Sequence, residues 1–394
     1  MYFCEQLYNI NLVYMKRVGY LGDPKRALFM LAMPTFCCFA TIYRIYLIWH
    51  NFDEVVANLF KVSGMITITV RTFVVLSKQK KFLDFFNDID NWYHKLRSEN
   101  DEVTMKNLEE YTRKTRRASK TIFGIMIVCI FYISAIQLLT ISSSTNKSKK
   151  NIKNKSSSRT TRYFFTEYLI EVRLPFVDLY TSPYYEIISV LQALWLTPIV
   201  LLSYVSYLCV ILISISFGIF LMKDLQQKLG NMHELNELEG LKCIKKCIQQ
   251  HVLIIKFHRD LEVLFSAGNF VDVSIFCIIP CVIIVYANME YNLAFMITDV
   301  QLVFVVIFST YIIFWLANSF YIEGLNIAHA AYNCNWVDRG KDFRKYIVVI
   351  MAVGQKPLEL TAGGLKPVNM QFFLAIVRVS YSIFTVLQGT KKDY

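Results

Sequence analysis

Residues 187–222 contain no Lys, Arg, Asp or Glu. A run like this has one stable setting. In hydrocarbon no water bonds the backbone, so the segment must satisfy its own N–H and C=O groups as helix. At about 1.5 Å per residue it outruns a hydrocarbon layer about 30 Å thick. It is therefore either one long helix that projects from the membrane or a tight hairpin. Further stretches of the roughly 20 apolar residues that a crossing needs occupy 28–49, 55–77, 121–141, 270–289, 297–320 and 371–390. The 394 residues are expected to form an all-α polytopic membrane protein, one domain over 1–394 with seven transmembrane helices. Only 18% of residues are charged, against about 25% in soluble domains. That excludes a disordered tail protein, a secreted disulfide scaffold and an ordinary cytosolic enzyme.

Lys and Arg in the connections set the orientation. Segments 1–27, 78–120, 223–268 and 321–366 together carry 28 of them, and the opposite side, which includes 142–185, carries 10. The amino terminus is expected in the cytoplasm and, after seven crossings, the carboxyl terminus outside. The basic tract 146–162 then lies outside, against the charge rule. It holds the chain's two Asn-x-Ser/Thr sites, Asn146 and Asn154, as a glycosylated exterior loop would. With that loop outside and 223–268 inside, block 187–222 crosses once and is one long helix. The net charge of +12 follows from the same bias and does not argue for nucleic acid. None of the ten cysteines falls in an exterior loop, so no exterior disulfide is expected.

Motifs that would carry catalysis are weak. His258-Arg259-Asp260-Leu261 copies the start of a kinase catalytic loop, but Phe265 stands where the Asn should be and no glycine-rich loop precedes it. Cys243, Cys247, His251 and His258 share a helical face, and one helix cannot wrap a tetrahedral ion. No metal, no cofactor and no enzymatic activity are expected. The cytoplasmic connections read as helices over 78–118, 223–268 and 321–353. In the first, Phe82, Phe85, Phe86, Ile89, Tyr93 and Leu96 repeat at helical spacing. Such helices either pack within one subunit or form a platform between subunits.

The seventh span is the least lipid-like. Arg378, Ser382, Thr385 and Gly389 fall at i, i+4, i+7 and i+11, with Tyr381 and Gln388 beside them. A polar stripe is costly in hydrocarbon unless it faces protein or water. It is helix–helix packing, or it is a pore wall that needs several subunits around an axis.

The carboxyl-terminal residues add a resemblance. Ala331-Tyr332-Asn333-Cys334-Asn335-Trp336 is followed by Gln355-Lys356-Pro357-Leu358, Leu360-Thr361-Ala362-Gly363-Gly364 and Pro367. Ser380-Tyr381-Ser382, Phe384-Thr385 and Leu387 follow in order, and Leu174-Pro175-Phe176 and Ser182-Pro183-Tyr184 precede the fourth span. This pattern resembles the insect odorant receptor family. The resemblance implies an ion-channel subunit, four of which surround a pore lined by the last helix, with contacts concentrated in a cytoplasmic anchor. It implies a small volatile odorant as ligand, a shared co-receptor subunit as partner, surrounding membrane lipid, and a plasma-membrane location in sensory neurons. The chain lacks the long cytoplasmic insertion and the Val-Gln-Leu-Lys ending expected of the co-receptor, so it resembles the divergent, ligand-specific members. The family's hydrophobic gate falls on Leu387, with Gln388 beside it, and Ser382 and Thr385 lie on the same pore-facing stretch.

The family's pocket lies among spans two, three, four and six. Here those spans present Met65, Thr69, Phe131, Ser134, Leu191, Trp195, Phe304 and Phe308, apolar and aromatic groups suited to holding a volatile molecule by dispersion. Each could equally serve ordinary interhelical packing. The nearest rival is a gustatory receptor, whose tail pattern would be shorter. A G-protein-coupled receptor would need an exterior amino terminus and Asp-Arg-Tyr and Asn-Pro-x-x-Tyr motifs, which are absent.

Overall fold

A computed structural model describes residues 2–98, 101–154, 172–174, 179, 181, 183–286 and 293–392. Short helices α1 (Tyr2–Tyr8) and α2 (Ile10–Val18) lead into α3 (Pro24–Leu47). The start of α3 is written in its residues. Asp23 caps it by accepting from the Lys25 N–H at 3.1 Å, and Pro24 occupies a first-turn position that needs no donor. Next come α4 (Phe52–Ser77) and α5 (Gln79–Ser98). The apolar stripe of α5 buries Phe82, Phe85, Phe86, Ile89 and Leu96, while Tyr93 stacks on Phe3 at 4.4 Å.

The structure divides each of the stretches 78–118, 223–268 and 321–353, which periodicity reads as single helices. After α5 the chain restarts as α6 (Glu102–Asn154), because Asp101 accepts from the Thr104 N–H at 3.1 Å and from its hydroxyl at 2.8 Å. A side-chain cap of this kind ends one helix and begins another regardless of apolar spacing. From Tyr184 the backbone runs as α7 (Tyr184–Leu191), a π-helical turn (Gln192–Leu196) and α8 (Thr197–Gly230). A 3₁₀ turn at Asn231–Glu234 separates α8 from α9 (Glu237–Tyr286). Beyond α10 (Leu293–Tyr332) lie α11 (Lys341–Gly354), a hairpin of β1 (Thr361–Ala362) with β2 (Lys366–Pro367), and α12 (Met370–Lys392).

The bundle is built around α8, which packs on α10, α9 and α6. Between helices in lipid, burial of apolar surface gives little advantage, so close approach and polar contacts hold them together. The Ser214 hydroxyl meets Tyr8 at 2.9 Å, and Ser203 meets the hydroxyls of Tyr14 and Tyr20 at 3.1 and 2.8 Å. A Cβ on Gly218 would lie 2.4 Å from the Phe320 ring and 2.9 Å from Phe257, so α8, α9 and α10 meet where only glycine fits. On the outside, Phe39, Phe73, Val128 and Leu139 are each more than two-thirds exposed, a surface fit for lipid and not for water. Helices α3, α4, α6, α7–α8 and α10 are long and apolar enough to cross a membrane. The chain is an all-α, multi-pass membrane protein.

Candidate functional site

Two charges inside apolar helices meet across the bundle. Arg71 on α4 forms a salt bridge with Asp272 on α9, their side chains 3% and 10% exposed. The Arg71 guanidinium also lies over the Tyr204 and Tyr207 rings of α8, at 4.8 and 4.7 Å. The Tyr204 hydroxyl reaches Ser309 of α10 at 2.6 Å. One polar chain therefore ties four helices. A lone charge at this depth would cost several kcal/mol, and a desolvated cation–π contact returns about 2 kcal/mol. Pairing makes the charges tolerable, since either one alone would be buried without compensation. Arg71 lies inside the apolar stretch 55–77, and the sequence around it offers no partner. The usable signal was Asp272, an opposite lone charge in another span.

A second cluster surrounds the π-helical turn. Such a turn shifts carbonyls out of the regular ladder, and neighbours take them up. Ser134 of α6 donates to the Ala193 carbonyl at 2.9 Å, and the Thr197 hydroxyl donates to Gln192 at 2.9 Å. Trp195, within the turn, has its ring 5.2 Å from Phe29, and its buried indole N–H makes no hydrogen bond. Leu191 immediately precedes the turn and is partly exposed. Met65 is buried in one cluster with Cys37, Cys38, Tyr185 and Leu196. Thr69 spends its hydroxyl on the Met65 carbonyl at 2.9 Å. Met65, Ser134, Leu191 and Trp195 thus gather near the turn. Phe131 lies 70% exposed on α6, and Phe304 and Phe308, 65% and 53% exposed, stack on each other at 5.9 Å on α10.

The third element joins the bundle to α12. Gly363 and Gly364 turn the hairpin at φ +66° and +74°, a conformation that costs little only without a Cβ. The hairpin docks on α9. The Glu262 carboxylate accepts from the Thr361 N–H at 2.9 Å and from its hydroxyl, and the Gly363 N–H donates to the Ser266 carbonyl at 2.9 Å. The His258 ring bonds the Glu359 carbonyl at 2.8 Å, so the histidine of the kinase-like tetrapeptide helps dock this segment on α9. Past the hairpin, Phe373 of α12 stacks on Phe276 at 5.3 Å and tilts against Phe314 at 5.6 Å, and Ile376 is buried. Beyond them Arg378, Tyr381, Ser382 and Thr385 are exposed. The Ser382 and Thr385 hydroxyls donate to the Arg378 and Ser382 carbonyls at 3.0 and 2.9 Å. Leu387 and Gln388 continue the α12 backbone, and their side chains lie outside the described residues, as do those of Asn146 and Asn154 on α6.

These elements define a polytopic helical membrane protein with a charge-locked bundle and a terminal helix hung from a docked hairpin. Residues 51–381 match the family described as 7tm Odorant receptor, and the chain belongs to this family of insect odorant receptors. It is 25% identical to Odorant receptor 10 of Aedes albopictus over 86% of this chain and 85% of that one. Odorant receptor 30a of Drosophila melanogaster is 24% identical over 87% and 85%. The fold is similar to that of the insect olfactory receptor OR5 from Machilis hrabei in complex with eugenol. That likeness has a TM-score of 0.73 at 17% identity and covers 93% of this chain and 90% of that one. The family is one of receptors, not enzymes.

Proposed function

We propose that this receptor is the odorant-binding subunit of a ligand-gated, non-selective cation channel in the plasma membrane of olfactory neurons. It works with a co-receptor subunit around a pore lined by α12. The observation that carries the reading is the split character of α12. Phe372, Phe373 and Ile376 turn toward the bundle, while Arg378, Tyr381, Ser382 and Thr385, together with apolar Leu374, Val377 and Val379, are exposed on the single chain. An exposed polar stripe in a membrane helix calls for water or neighbouring subunits beside it. The proposal includes seven crossings, a cytoplasmic amino terminus and an exterior loop glycosylated at Asn146 and Asn154.

The ligand is a small volatile molecule, of the kind that eugenol represents for the Machilis receptor. Its site is formed from Met65, Thr69, Phe131, Ser134, Leu191, Trp195, Phe304 and Phe308, with the Trp195 N–H free to meet a polar end group. Moving a gate from about 1% to 99% open takes a difference of about 5.5 kcal/mol between states. A ligand of roughly a dozen heavy atoms, at about 0.3–1.5 kcal/mol per atom, can supply it. Displacement of α10 reaches α12 through Phe314 and Phe373, and the hairpin glycines absorb the rotation.

The test is electrical. Co-expressed with a co-receptor, the chain is expected to give odorant-evoked cation currents, and Leu387→Ser is expected to raise resting current. An apolar ring at the gate keeps a narrow closed channel dry, and a hydroxyl would wet it. Leu387→Ser channels that reach the surface and stay silent without ligand would refute the gate and return the stripe to packing.

A further inference from the structure

A cavity of about 850 Å³ opens between α5, α8 and α9, and its lining residues belong to neither the π turn nor α12. Its wall is mixed, charged and polar over much of its extent and apolar on one part. Phe85, Trp92, Phe217, Leu253 and Phe257 supply apolar and aromatic surface, enough for a carbon skeleton of modest size. Cys243 and Cys247 of α9, one helical turn apart, also line it, and both are free thiols. Cys243 is partly exposed to the cavity, and Cys247 is only 1% exposed.

Charges crowd one side of this pair. Lys242, Lys246 and Glu239 stand on the same helix, Lys228 and Asp224 on α8, and Asp101 at the head of α6. Lys228 is itself held by Asp224 at 2.9 Å and by Asp101 at 3.0 Å, which fixes its ammonium in place. The Cys247 thiol donates a hydrogen bond to the Cys243 sulfur. That bond, opposed by partial burial and by the Asp101 carboxylate and helped by Lys228 and Lys246, lowers the Cys243 thiol to about 7. Cys247, the donor buried behind it, is pushed up. Elsewhere burial makes thiols inert: Cys334 is raised to about 11, and Cys4, beside Asp90, is raised well above the ordinary thiol range.

We propose that Cys243 is a covalent capture site for α,β-unsaturated aldehydes and ketones that enter this cavity. The Cys243 thiolate, its proton given to solvent, attacks the β-carbon, and a sulfur–carbon bond forms. The C=C pair moves to the α-carbon and carbonyl as an enolate, and water protonates the α-carbon. No oxidant is consumed and no group leaves. The fixed Lys228 ammonium and the flanking lysines favour the negative charge that appears on the carbonyl oxygen, and the aromatic walls hold the alkyl tail. The adduct fills space between α5 and the α8–α9 pair, on a different part of the molecule from the proposed odorant site.

The experiment uses purified full-length protein in mild detergent at pH 7, treated with trans-2-octenal, reduced with borohydride and mapped by mass spectrometry. The lowered thiol leaves more of Cys243 ionised at this pH than the few per cent of an ordinary thiol. Cys243 is therefore expected to react about tenfold faster than Cys277 or added glutathione. Unfolding the protein first should erase the difference. Cys247→Ala removes the donor and should slow capture several-fold. Octanal, which lacks the conjugated double bond, should leave Cys243 unmodified. Equal native rates at Cys243, Cys277 and glutathione overturn the proposal, as does an adduct carried by Lys242 or Lys246 in place of the thiol. The readout is chemical, so it stands whether or not the channel reading holds.

Discussion

Arg71 and Asp272 are separated by 201 positions in the chain yet share one hydrogen bond. Removing one partner leaves the other charged and buried, a situation that costs about 3–5 kcal/mol. Arg71→Met or Asp272→Leu alone is expected to lower thermal stability in detergent by that order and to reduce surface expression. The double variant, which buries two apolar groups instead, should recover most of the loss. Additive losses in the double variant would show that the two residues act separately. At the same scale, the Cys243 labelling rate should rise with pH and reach half its plateau near 7. The sign follows from the thiolate being the nucleophile, and an ordinary cysteine would climb only above about 8. Rates measured from pH 5 to 9 decide it.

Among the elements, the hairpin at Thr361–Pro367 tests how α12 is suspended. Gly363 and Gly364 both have left-handed backbone, but their surroundings differ. A Cβ on Gly363 would sit 3.2 Å from the Phe270 ring, and one on Gly364 would meet nothing within 4 Å. Gly364→Ala should therefore cost only the backbone term, about 1–2 kcal/mol. Gly363→Ala should cost more than Gly364→Ala, because the half-exposed Phe270 ring must shift to admit the methyl group. Denaturation midpoints for the two variants test this, and equal losses would mean that Phe270 yields freely. The π turn is an element of a different kind. Its local signal is Thr197-Pro198: Pro198 has no N–H to give the Leu194 carbonyl, and the Thr197 hydroxyl and Ser134 of α6 take up the carbonyls of Gln192 and Ala193.

For the whole molecule, the decisive expectation is orientation. Epitope tags at Met1 and Tyr394 in intact cells should be hidden and accessible respectively, from the Lys and Arg asymmetry. An accessible amino-terminal tag would sink the channel reading. What the sequence determined by itself is what depends on local composition. A charge-free run must be helix in lipid, and the ordered tail motifs led to the odorant receptor family. The cap at Asp101 and the turn at Asn231–Glu234 were legible in principle, since both rest on residues within a few positions of each other. The Arg71–Asp272–Tyr204–Ser309 chain, the meeting of two thiols with Lys228 at a cavity wall, and the gathering of Met65, Ser134 and Trp195 were not. Each depends on which helical faces meet across the bundle. In lipid that choice is made by small differences in close packing and buried polar pairing among helices of similar apolarity, and only the tertiary structure resolves it.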